Sequence, residues 1–133
     1  MNYEGTIIEE SLSDKSILDK IRIVSKKIEP ITDKHQTPWL KQWTLDKVDI
    51  PEEIAEEFAS RISIALDFEH KQAWYVDYRN DKNHYVIFSN KIFKIERANK
   101  EQYDKAIEYG IALGIPDSQM KPIAKYLNDS YAS

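Results

Sequence analysis

Tyr75, Asp77 and Arg79 alternate within AWYVDYRNDKNHYVIFSNKIFKIER (73–97) in a way that could do chemistry. At spacings of two, a phenol, a carboxylate and a guanidinium stand on one side of an extended strand. Such a set suits an anion or a carbonyl group, with the carboxylate available for proton transfer. His84, at the head of the returning strand, could join them. The plainer reading sends Asp77 and Arg79 to solvent, paired across the strands with Lys94 or Glu96. In both readings Trp74, Val76 and Tyr78 form the apolar side.

Other chemistries find less support. The histidines are His35, His70 and His84, and no two are spaced for one helix face. A trio from Glu69, His70, Asp77 and His84 could converge in three dimensions. However, His70 sits where a helix C-terminus favours its cation and His84 flanks a turn, so no metal is expected. The chain has no cysteine, which excludes disulfides, thiolate nucleophiles and cysteine zinc sites. It carries no P-loop and no dinucleotide fingerprint, so no cofactor is expected. Ser60, Ser63 and Ser89 lack a nucleophile elbow. Trp39 and Trp43, four apart on one side of a strand that follows a loop, are candidates for an exposed ligand or partner surface.

The elements that must position these residues follow from local patterns. YEGTIIEE (3–10) reads as a strand, Ser13 caps a helical turn from Asp14 to Lys20, and 21–29 is extended. Pro30 closes that strand, and 30–38 is loop. WLKQWTLDKVDI (39–50) is a strand whose apolar side changes parity: Trp39, Trp43 and Leu45 on one side, Leu40, Val48 and Ile50 on the other. Either a bulge lies there or both faces are partly covered. After Pro51, the stripe Ile54, Phe58, Ile62, Ala65 and Leu66 predicts a helix. Three strands of a meander fill 74–95. Asn99 caps a helix from Lys100 to Leu113, Gly114 stops it, and Pro116 opens a short helix from Asp117 to about Leu127. The tail beyond is expected to fray.

Strands in pairs and triples with helices between them predict an α+β fold: one mainly antiparallel sheet of five to six strands, with two to three helices packed on one face. At 133 residues the chain is expected to form a single compact domain. The N-terminus lacks a secretory pattern, and no apolar run is long enough to span a bilayer, so a soluble cytoplasmic protein without membrane contact is expected. The net charge of −4 argues against nucleic acid as a partner. Charge is uneven: residues 51–70 set six acids against Arg61, and 71–97 set six bases against Asp77, Asp81 and Glu96.

TPWLKQWTLDKVDIP (37–51), the 73–95 segment and YGIALGIP (109–116) together resemble a family of small uncharacterised proteins from bacteria and archaea. That resemblance implies no activity and no catalytic residue. Three functions therefore compete. The first expectation is an interaction module that forms a homodimer through sheet edges or uses the Trp39/Trp43 surface. The alternative is a small-molecule carrier or enzyme with its site near Tyr75, Asp77, Arg79 and His84. Nucleic-acid binding comes third.

Overall fold

The computed structural model describes residues 1–30, 42–66 and 74–127. Six strands make one sheet: β1 (Tyr3–Ile8), β2 (Arg22–Pro30), β3 (Gln42–Ile50), β4 (Tyr75–Arg79), β5 (Asn83–Phe88) and β6 (Lys91–Glu96). Their spatial order is β2-β3-β1-β4-β5-β6, and every neighbouring pair is antiparallel. The α-helices are α1 (Ala55–Ala65), α2 (Lys100–Ala112) and α3 (Asp117–Met120); shorter 3-10 turns lie between β1 and β2, before α1 and after α3. This is the expected α+β architecture. No described helix is long and apolar enough to cross a membrane.

The helices divide between the two faces, where one covered face was expected. In β5, Tyr85 and Ile87 pack with Phe58 and Ile62 of α1, whereas Val86 and Phe88 pack with Tyr103 and Ala106 of α2. The run His84-Tyr85-Val86-Ile87-Phe88 is buried at every position, and a strand with that pattern needs cover on both sides. The α1 stripe forms as its spacing predicts. Phe58 and Ile62 are almost wholly buried, each contributing on the order of 1.5–3 kcal/mol.

The parity change in β3 has a simple origin. Val48 and Ile50 face α1, while Trp43 and Leu45 lie half-buried on the opposite face. Pairing with β1 runs unbroken from Tyr3↔Ile50 to Ile8↔Leu45, so β3 carries no bulge and both its faces are partly covered. The irregularity falls instead in β2, between Ile23 and Ser25. Furthermore, β3 is not an edge: β2 and β1 flank it, and β2 is the outer strand.

Caps and stops explain the remaining boundaries. Asp14, not Ser13, caps the 3-10 turn Lys15–Lys20 by accepting from the Ser16 amide at 3.0 Å. Ser13 instead donates its hydroxyl to the Ala65 carbonyl at 2.9 Å, tying the turn to the end of α1. Asn99 accepts from the Gln102 amide, as its type and position predict. Gly114, at φ 104°, ends α2 in the left-handed region. The last helix is shorter than expected: α3 ends at Met120 and Lys121–Tyr126 continue as a 3-10 turn. Pro122 lacks the amide that an α-ladder would need there. The expected fraying of the tail lies outside the described residues.

Candidate functional site

The face of the sheet opposite α1 is covered unevenly. α2, α3 and the turn after them lie over β4, β5 and β6, and the cover stops beside β1 and β3. On this face the register aligns Thr6 of β1 with Asp77 of β4, and Glu4 with Arg79. Asp77 therefore stands at a step, half under the α3 region and half open. Two cavities meet there. One, of about 230 Å³, is walled by Ile8, Trp43, Leu45, Trp74 and Gln119. The other, of about 170 Å³, is walled by Arg79, Ile123, Lys125 and Tyr126. Thr6, Tyr75 and Asp77 line both, making one groove with an aromatic end and a cationic end.

Asp77 and His84 form the floor. Asp77 lies opposite Val86 in the ladder, and Arg79 opposite His84, so Asp77 and His84 are diagonal neighbours on one face. Asp77 Oδ2 is 2.7 Å from His84 Nε2, and His84 Nδ1 is 2.9 Å from the Tyr103 hydroxyl of α2. The His84 side chain is wholly buried, and that of Asp77 is 22% exposed. Burial pushes the Tyr103 hydroxyl up to about 12, against the lowering effect of Arg97, so it keeps its proton at neutral pH. The two contacts hold both ring nitrogens of His84, one on the Tyr103 hydroxyl and one on the Asp77 carboxylate, and so fix the orientation of the imidazole. The chain leads from the core to one carboxylate in the groove. Asp77 Oδ1 makes no hydrogen bond among the described residues.

The side walls are equally defined. The Tyr75 hydroxyl donates to the Gln119 carbonyl at 2.6 Å, pinning α3 to the sheet. Burial, reinforced by the nearby Asp77 charge, raises the Tyr75 pKa well above the ordinary phenol range, so Tyr75 is a fixed donor and not a titrating group. The Arg79 guanidinium carbon lies over the Tyr126 ring, 3.6 Å from its centroid, and Lys125 Nζ is 5.0 Å from the same centroid. Among the described residues neither cation has a carboxylate partner. At the other end the Trp43 and Trp74 rings meet at 5.6 Å. The buried Trp74 Nε1 has no acceptor among the described residues, a donor that an acceptor in the groove would satisfy.

Several expectations change in this light. Asp77 pairs with His84 and not with Lys94 or Glu96. Register places those two opposite Tyr85 and Asn83, on the α1 face, one strand further away. His84 does not simply flank a turn, since its ring is enclosed beneath α2. Tyr75, Asp77, Arg79 and Trp43 all meet in the groove. Trp39, His35, Glu69 and His70 lie outside the described residues, and no three metal-ligating side chains converge among the described ones. Thr6, Tyr103, Lys125 and Tyr126 escaped sequence reasoning, because each reaches the site through long-range packing.

Two other features compete for attention. A cavity of about 260 Å³ lies beside α1, where two of the lining charges already pair, Arg61 lying 3.0 Å from Glu57. A buried acidic pair lies on the α1 face of β3, where Asp46 meets Glu9. Lys26 Nζ reaches Glu9 at 2.7 Å and Asp46 at 3.9 Å. Neither carboxylate oxygen of Asp46, a wholly buried side chain, has a hydrogen-bond partner within ordinary geometry. Burial first, and then the neighbouring Glu9, pushes Asp46 up to about 7.

Comparison with protein-family models, curated proteins and solved structures returned no match.

Proposed function

We propose that the protein binds a small organic molecule in the groove over β1, β3 and β4, with Asp77 as the central recognition group. The observation that carries this reading is the Tyr103–His84–Asp77 chain. A buried polar chain that ends in a partly exposed carboxylate at the meeting of two cavities is a costly arrangement for a core. Pure packing would be served as well by an apolar residue at position 84. A pre-oriented carboxylate suits recognition of a donor, because its rotamer is fixed before the ligand arrives. No reaction is assigned.

The test is amide-resolved NMR of the labelled protein titrated with mixtures of common metabolites. Saturable shifts at Thr6, Tyr75, Asp77, Arg79 and Tyr126 are expected, and Asp77→Ala should abolish them. A ligand bound equally well by wild type, Asp77→Ala and His84→Ala would refute the proposal.

A homodimer through sheet edges is the second reading, and its ground moves from β3 to β2. Ile23, Val24 and Ile28 of this outer strand are exposed. Against it stand Lys26, Lys27, the irregularity after Ile23 and the terminal Pro30, all devices that discourage edge pairing. Sedimentation at high concentration decides: a monomer there removes the dimer.

A further inference from the structure

The groove presents three chemically distinct arms around one point. We infer that its ligand is a free α-amino acid with a large apolar side chain; this rests on the groove being the ligand site. The first arm is Asp77, whose Oδ1 makes no hydrogen bond among the described residues and whose Oδ2 is held by the buried His84. It suits an ammonium group, a donor of matching charge. The second arm is the pair Arg79 and Lys125, both close to the Tyr126 ring. A guanidinium held over a ring face makes no hydrogen bond to that ring, so its N–H donors stay available, and a planar carboxylate matches their fork. The third arm is the wall of Trp43, Trp74, Ile8 and Leu45, which suits an apolar or aromatic group.

The three arms correspond to the three substituents of an amino-acid α-carbon. Asp77 belongs to both cavities, the cations belong to one and the tryptophans to the other. The ammonium group therefore lies centrally, with carboxylate and side chain leading in opposite directions. A simple organic acid would leave Asp77 facing an anion without a donor. A simple amine would leave both cations unmatched. A nucleotide would set its phosphates near the Asp77 charge. The zwitterion alone satisfies all three arms, and it brings no net charge into a groove that already carries both signs.

Calorimetry and amide-resolved NMR with L-phenylalanine, phenylacetate and phenethylamine test this. L-Phenylalanine is expected to bind with shifts confined to the groove, and each single-charge analogue should bind about tenfold more weakly or worse. Arg79→Gln should weaken L-phenylalanine and phenylacetate but leave phenethylamine unchanged. Asp77→Asn, whose amide can still pair with His84, should weaken L-phenylalanine and phenethylamine but leave phenylacetate unchanged. Phenylacetate or phenethylamine binding as tightly as L-phenylalanine would overturn the amino-acid assignment and leave the groove as a ligand site. Absence of L-phenylalanine binding at millimolar concentration would overturn it too, while the metabolite titration still judges the groove. Shifts centred away from the groove would sink both readings.

Discussion

Asp46→Asn should make the protein more stable at pH 8 and flatten its response to pH. Asp46 lies in β3 opposite Lys26 of β2, with its side chain wholly buried and its oxygens outside hydrogen-bond geometry. Burial and Glu9 lift it from an ordinary 3.8 to about 7. Its proton is therefore held more tightly in the folded chain than in the unfolded one. For an acid raised in this way, the stabilising effect is complete below pH 3.8 and is lost as pH climbs to about 7. Three pH units at about 1.36 kcal/mol each set a ceiling of about 4 kcal/mol. Lys26 and the sharing of one proton with Glu9 reduce this, so a loss of about 1–3 kcal/mol from Asp46 is expected between pH 5 and pH 8. Glu9 itself is lowered: burial pushes it up, but Asp46 and Lys26 outweigh that. Its contribution thus changes below pH 5 and does not confuse the window. Asparagine keeps the shape and carries no charge, so it removes the repulsion with Glu9 and the cost of burying an ionised carboxylate. Urea unfolding of both proteins at pH 5 and pH 8 isolates the residue, since every other titrating group is common to both. A variant no more stable than wild type at pH 8, or a difference that does not grow with pH, would refute the reasoning.

Three more substitutions probe the frame around the groove. Tyr103→Phe removes the hydroxyl that meets His84 Nδ1 but keeps the ring, so it should cost about 1–3 kcal/mol in urea unfolding; a neutral result would mean the Tyr103–His84 hydrogen bond is not made. Gly5→Ala would place a Cβ 2.3 Å from the Asp77 carbonyl oxygen and 2.7 Å from Tyr78 Cβ. Because β1 and β4 must separate to admit it, the variant should unfold at clearly lower temperature and lose the groove shifts. Ile62→Ala should cost about 2–5 kcal/mol, whereas Ile64→Ala, two residues along the same helix and 78% exposed, should stay within about 0.5 kcal/mol.

What the sequence could and could not disclose follows from the range of the forces involved. The α1 stripe, the Asn99 cap, the Gly114 stop and the meander of β4, β5 and β6 were legible, because each depends on neighbours a few residues apart. The apolar run in β5 also carried the information that both faces are covered, since Val86 and Phe88 have the opposite parity to Tyr85 and Ile87. Strand order was not legible. β1 lies between β3 and β4, and no local pattern in Tyr3–Ile8 marks it as central. That insertion makes the groove: it sets Thr6 beside Asp77 and brings Trp43 of β3 to the same face. The alternation Tyr75, Asp77, Arg79 could be read as one side of a strand, but whether that side meets solvent depends on where α3 and Tyr126 dock. The partner of Asp77 was misread for a related reason. Lys94 and Glu96 share a meander with Asp77 but not a face, whereas His84 is a diagonal neighbour whose ring is locked by Tyr103, nineteen residues away. Composition and spacing thus identify the groups able to recognise a ligand, and register decides which of them meet. In this chain the deciding pair is Thr6↔Asp77, formed between strands about seventy residues apart in sequence.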